Sequence, residues 1–234
     1  MSISITWLGH SAFIVGLPSG KRLLFDPWIG NPNCPPAFAK PEALKPIDLI
    51  LLSHGHSDHA GDIVQIARAT GAPVVCIFEL GEYLTEKGVK GVSDMSIGGT
   101  QEVAGVRITM TQAVHSGSVM DGGKIMYLGG AAGFVLRAPG TPTIYFAGDT
   151  GIFYDMKLIA ELYKPEIAFL PIGDHYTMGP DTAAIAAKWL GVRQVVPMHW
   201  GTFPVLRGTP AELEKELAGT KIDVLELKPG ETAE

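Results

Sequence analysis

Six consecutive residues, His54-Gly55-His56-Ser57-Asp58-His59, hold three imidazoles and a carboxylate, and the mostly apolar run from Ile47 to Ser53 leads straight into them. Both groups are metal ligands, and their spacing suits that use. In extended backbone, side chains two apart project to one face, so His54 and His56 converge on one ion and Gly55 leaves the space between them empty. Asp58 and His59 lie past a turn and point in different directions, so the same loop could seed a second ion nearby. An ion needs three or four protein ligands and a pair needs more. The loop therefore requires partners from elsewhere. The remaining histidines are His10, His115, His175 and His199, and each ends or closely follows an apolar segment. Such strand ends are where open sheets place ligands.

Two adjacent divalent ions can hold a bridging hydroxide, because each lowers the pKa of bound water from ~15.7 towards ~7. That supplies a nucleophile at neutral pH without serine or cysteine, and the same ions polarise the carbonyl or phosphoryl oxygen under attack. Imidazole and carboxylate suit Zn(II), and Mn(II) or Fe(II) are compatible with the same donors. His175, in Asp174-His175-Tyr176-Thr177, is expected to serve the leaving oxygen as general acid, with Thr177 offering a donor to an anionic oxygen. His10 is expected at the rim, touching either the substrate or a metal-ligating side chain, and Trp28, Trp200 and Phe203 as pocket walls. Asp26 reads either as a hydrogen-bond partner for the far nitrogen of a ligating imidazole or as a turn residue before Pro27. The structural alternatives are a packed, hydrogen-bonded histidine at position 10 and a surface or loop-bracing one at position 175.

The elements that must position these side chains are short. Strand-like runs fall at residues 3–7, 12–15, 22–25, 49–52, 73–77, 106–111, 133–137, 143–147, 167–170, 194–196 and 222–225. Helical patterns fall between them, at 61–69, 79–87, 154–163, 180–190 and 210–217. The last opens with Thr209 as N-cap, Pro210 at the first helical position and Glu212 in the first turn. Strands alternating with helices make an α/β protein. An internal echo supports two similar halves. The hairpin around Pro18-Ser19-Gly20 that ends at Asp26 resembles the one around Pro139-Gly140 that ends at Asp149, and residues 48–54 resemble 166–172.

With 234 residues, 46% of them hydrophobic, and a net charge of −6, the chain can bury a large core and reads as one domain over residues 1–234. The N-terminus, residues 1–7, alternates like a strand and lacks the features of a signal peptide. No apolar stretch is long enough to span a membrane, so the expected location is cytoplasmic. Cys34 and Cys76 are the only cysteines and are expected to be inert thiols. The acidic balance and the scatter of 18 lysines and arginines argue against nucleic acid and for a small-molecule substrate.

The ordered set His54, His56, Asp58, His59, His115, Asp149 and His199 resembles the metallo-beta-lactamase fold hydrolases, whose pattern H-x-H-x-D-H precedes a distant His, Asp and His. The resemblance implies a four-layer αββα sandwich of two similar halves. It implies that His54, His56 and His115 hold one ion and Asp58, His59 and His199 the other. Asp149 would bridge the two, and Asp58 would also orient the hydroxide. Relatives that act on beta-lactams often carry a cysteine where Asp149 stands, which argues against that activity. The segments Leu8 to Phe13, Phe25 to Trp28, Gly173 to Pro180 and Pro197 to Pro204 are similar to small metal-dependent hydrolases related to ascorbate-6-phosphate lactonase. The expected activity is dinuclear hydrolysis of a small ester, lactone or phosphodiester; a nuclease and a non-hydrolytic metal or redox protein are the alternatives.

Overall fold

The computed structural model describes residues 3–234, so Met1 and Ser2 of the expected N-terminal strand lie outside the described residues. The chain first lays down β1 (Ser4–Trp7), β2 (Phe13–Gly16) and β3 (Arg22–Phe25) as an antiparallel meander. Then β4 (Leu49–Leu51), β5 (Val74–Ile77) and β6 (Val92–Met95) add in parallel to β3. Parallel addition needs crossovers. Two of them carry α1 (Ser57–Ala60), α2 (Ile63–Thr70) and α3 (Phe78–Glu86).

The second sheet starts with β7 (Thr100–Val103) and β8 (Val106–Gln112). A separate ribbon of β9 (Ser118–Asp121) and β10 (Lys124–Tyr127) follows. The sheet resumes with β11 (Ala132–Arg137), β12 (Ile144–Phe146), β13 (Ile167–Pro171), β14 (Gln194–Met198) and β15 (Asp223–Val224), while β16 (Thr232–Ala233) returns to pair with β1. Crossovers here carry α4 (Met156–Tyr163), α5 (Pro180–Leu190) and α6 (Pro210–Glu216). The α6 cap is as expected: Thr209 accepts from the Glu212 amide at 3.3 Å, and Glu212 accepts from the Thr209 amide at 3.0 Å.

The sheet orders β16-β1-β2-β3-β4-β5-β6 and β7-β8-β11-β12-β13-β14-β15 correspond strand for strand, antiparallel then parallel in both. The internal echo is thus a repeated half. The sheets meet through aromatic rings: Phe25 stacks on Phe146 at 4.7 Å between centroids, and Phe13 meets Phe169 edge-on at 5.0 Å. Helices lie outside, α3 on β5 and β6, α5 on β13, α6 on β15, which gives the expected four layers. The core strands β4 and β13 are buried along their whole length, as strands covered on both faces must be.

The sequence pattern missed β6, β7, the β9–β10 ribbon and β16, and it set α4 two residues early. Cys34 and Cys76 are free, not bridged, and burial pushes their thiols up, to about 11 and about 12. No helix among the described residues is long and apolar enough to cross a membrane.

Candidate metal centre

The two sheets turn their functional ends to the same edge. β1, β3 and β4 run in one direction, as do β8, β12, β13 and β14. His10 follows β1, Asp26 follows β3, and His54 to His59 follow β4; His115, Asp149 and His199 follow β8, β12 and β14. Every one of these residues thus lies just past the carboxyl end of a strand, where ligands in α/β sheets collect.

Asp58 and His59 sit on the single helical turn α1 rather than in an irregular turn. Adjacent helical side chains diverge by roughly 100°, which separates their partners. Asp58 Oδ2 lies 3.2 Å from His10 Nε2 and 3.7 Å from His199 Nε2. His59 turns to the other side, with Nδ1 2.7 Å from Asp26 Oδ2 and Nε2 3.2 Å from Asp149 Oδ2. Gly55 does not leave an empty space, contrary to expectation. A Cβ there would meet Val119 Cγ1 at 2.9 Å and the Ser118 carbonyl at 3.0 Å, because the β9–β10 ribbon packs against the loop.

Hydrogen bonds determine which ring nitrogens remain free. A carboxylate only accepts, so the Ser53 hydroxyl proton goes to Asp26 Oδ2 at 2.7 Å, and Ser53 Oγ must accept from His54 Nδ1 at 2.9 Å. His54 Nε2 is left as a lone pair facing the cluster. Asp26 likewise takes the Nδ1 proton of His59, whose buried Nε2 turns to Asp149. Asp26 is therefore the imidazole-orienting carboxylate of its two readings. It also accepts the Ser53 amide at 2.8 Å.

The donor atoms fall into overlapping groups: His54, His56 and His115; His10, Asp58, His59 and His199; and, between them, His54, His59 and Asp149. His56 Nδ1 lies 3.0 Å from His54 Nε2 and 3.3 Å from His115 Nε2. Zinc–nitrogen bonds of about 2.0–2.1 Å would hold tetrahedral neighbours roughly 3.3 Å apart. Asp149 Oδ2 stands 3.2 Å from His59, 2.9 Å from His199 and 3.7 Å from His115, while its buried Oδ1 has no partner. A buried carboxylate oxygen without a partner, set among imidazoles that crowd its twin oxygen, is an arrangement that a cation would satisfy. The donor set fits divalent metal. Val114 and Thr150 join the strands behind it, the Val114 amide donating to Thr150 Oγ1 at 2.9 Å.

Electrostatics follow this geometry. Burial disfavours the charged ring at His54, His56 and His115, and all three titrate below the ordinary imidazole range. Burial opposes charge at His59 and His199 too, but Asp149 outweighs it, joined at His59 by Asp26. His59 is held well above the ordinary range and His199 is raised to about 9. Burial works against ionised Asp149 and Asp58, yet the neighbouring imidazoles hold both well below the usual carboxylate range.

The other expected residues are placed differently. His10 is fully buried, not at the rim, with Nδ1 2.9 Å from Thr202 Oγ1. Burial lowers it to about 4, so a neutral ring donates from Nε2 to Asp58, while the Thr202 hydroxyl beside Nδ1 also reaches the Trp200 carbonyl at 3.3 Å. His175 is exposed, its ring edge-on to Tyr176 at 4.4 Å, and it does not line the cleft over the cluster; Tyr176 does. The Thr177 hydroxyl donates to the Met178 carbonyl at 3.3 Å and is likewise outside that lining. Trp28 and Phe203 are cleft walls as expected, whereas Trp200 stacks on Trp7 at 5.1 Å. Sequence reasoning also missed Ser53 and Thr202, whose role depends on single hydrogen bonds.

The pattern of the beta-lactamase superfamily domain matches residues 21–200, which include six of the seven histidines and also Asp26, Asp58 and Asp149. The chain belongs to the beta-lactamase superfamily, in its family of UPF0173 metal-dependent hydrolases. A member of that family from Koribacter versatilis is 51% identical over 231 residues, covering 98% of this chain and 97% of the relative. Another, from Methanopyrus kandleri, is 45% identical, covering 98% of this chain and 99% of the relative. Igni18, a metallo hydrolase from Ignicoccus hospitalis, superposes with a TM-score of 0.89 at 38% identity over 100% of this chain and 98% of its own. The seven residues of the ordered set thus come together at one edge of the sandwich, in groups able to hold a metal ion.

Proposed function

We infer that the chain is one metallohydrolase unit that holds two divalent ions, Zn(II) by default, and cleaves a small-molecule ester, lactone or phosphodiester. The observation that carries this reading is the position of Asp149, whose Oδ2 reaches imidazoles of both ligand groups within 3.7 Å while Oδ1 stays unpartnered. His54, His56 and His115 would hold one ion, Asp58, His59 and His199 the other, and Asp149 both. Bound there, such ions lower the pKa of water and polarise the oxygen under attack.

The chain's own residues do the rest. Asp58 lines the cleft, and with His10 steadying Oδ2 its carboxylate accepts a hydrogen bond from the attacking water and orients it. Asp26 and Ser53 hold His59 and His54 in the tautomers that leave Nε2 free. Tyr176, on the cleft wall, is better placed than His175 to give a proton to the leaving oxygen.

Chelator-stripped protein, reconstituted and analysed for metal, tests the reading. Two equivalents are expected to bind, hydrolysis should return with them, and His56→Ala should abolish it. One equivalent at saturation would overturn the paired centre.

A further inference from the structure

The cleft over the ligand groups encloses about 610 Å³, and its walls differ from its floor. Trp28 and Phe203 stack with ring centroids 5.8 Å apart at 24°. Buried His10 braces both rings from below, edge-on at 5.3 Å to Trp28 and 5.6 Å to Phe203. Tyr176, 56% exposed, stands in the same lining. Among the described residues, no lysine or arginine lines the cleft.

That absence limits the substrate. Phosphoryl transfer builds charge on several oxygens at once, and proteins commonly add arginine or lysine to the metal ions that clamp it. A nucleic acid would bring further phosphates along the strand, each needing a cation. Here the walls offer aromatic faces, which favour flat apolar groups by offset or edge-on contact worth about 0.5–1.5 kcal/mol beyond burial.

We propose that this centre selects uncharged acyl compounds, esters or lactones, whose acyl part carries an aromatic or other flat apolar group that lies against Trp28 and Phe203, and that it disfavours phosphodiesters and substrates with a distal anion. The proposal rests on the hydrolase reading above. Water adds across the acyl–oxygen bond: its oxygen bonds to the acyl carbon, the carbon–oxygen bond to the leaving group breaks, one water proton goes to the leaving oxygen, and the other stays with the acid.

The test uses full-length, Zn(II)-reconstituted protein and substrates that all release p-nitrophenolate: the phenylacetate, butyrate and hemiglutarate esters, and bis-p-nitrophenyl phosphate. The expected kcat/KM for the phenylacetate is about tenfold above the butyrate, with the hemiglutarate and the phosphodiester lower still. Phe203→Ala should cut the phenylacetate-to-butyrate ratio at least threefold through KM with metal content unchanged, and Trp28→Phe should preserve it. A second readout needs no turnover: phenylacetate should quench tryptophan fluorescence saturably where acetate and inorganic phosphate do not, and Phe203→Ala should weaken that binding. Equal kcat/KM for phenylacetate and butyrate, or a phosphodiester hydrolysed faster than either, overturns the proposal and leaves the hydrolase reading standing. If no substrate is hydrolysed above the metal-free background, the hydrolase reading fails instead. Fluorescence then decides the aromatic wall alone, and equal quenching by phenylacetate and acetate would overturn it.

Discussion

Ser53 has one hydroxyl proton, and its destination determines how His54 faces the cluster. With that proton given to Asp26, the side chain can only accept from His54 Nδ1, so a serine without any motif of its own sets the tautomer of a ligand. Ser53→Ala should lower metal affinity about 10- to 100-fold, read by competition with a chromophoric chelator; unchanged affinity would mean that packing alone orients the ring. Tyr176 and His175 separate by leaving group. If Tyr176 supplies the proton, Tyr176→Phe should slow alkyl esters more than activated aryl esters, while His175→Ala should leave both nearly unchanged. The reverse pattern would restore His175 to the role its sequence context suggested. At this scale the residues that gather in the cluster were legible because their types and order are rare together. Their partners were not, since one serine or threonine has no spacing to read. The left-handed backbone at His10, Asp26 and His199, with φ of 53°, 39° and 56°, was equally invisible. Such φ values are costly away from glycine and cluster at functional sites.

The β9–β10 ribbon is the element that the sequence hid most completely, although a signal was present. Asp121-Gly122-Gly123-Lys124 joins its strands through two glycines with φ of 54° and 78°, the geometry that a two-residue hairpin turn requires. The strands were passed over because β10 is exposed at every position, so no alternation of buried and open residues marks it. Similarly, Val103-Ala104-Gly105-Val106 turns β7 into β8, with φ of 54° and 79° at its centre. Long crossover helices and buried strands could be read because burial imposes a period on them; peripheral hairpins carry only their turns. The ribbon still matters to the site, since Val119 and the Ser118 carbonyl occupy the space beside Gly55. Gly55→Ala should therefore push the ribbon or the ligand loop aside, costing about 1–3 kcal/mol together with metal affinity. Thermal unfolding and metal titration of the same variant would check this. Loss of stability with full metal affinity would show that the ribbon yields and the loop does not.

At the scale of the molecule, the repeated half explains why the clustered residues divide as they do. The first sheet contributes the contiguous His54 to His59 loop, and the second contributes His115, Asp149 and His199 from three separate strand ends. Asp26 and Asp149 occupy matching ends of β3 and β12 and grip opposite nitrogens of His59. A metal bound at this edge thus joins two sheets otherwise held by their apolar faces, the Phe25–Phe146 stack among them. Because the full ligand set exists only when both halves are folded and docked, binding must stabilise the whole fold. At free metal a hundredfold above Kd, one site contributes about 2.7 kcal/mol. For a chain of this length that corresponds to a rise in Tm of roughly 5–10 °C per ion. His115→Ala and His199→Ala, each removing a ligand that only the second sheet supplies, should each forfeit most of one ion's share, and Lys21→Ala, at an exposed ion pair with Asp48, should forfeit none. Differential scanning calorimetry over a series of Zn(II) concentrations measures all three. If the metal-induced rise survives the double substitution at positions 115 and 199, the ions belong to the His54–His59 loop alone and do not join the halves.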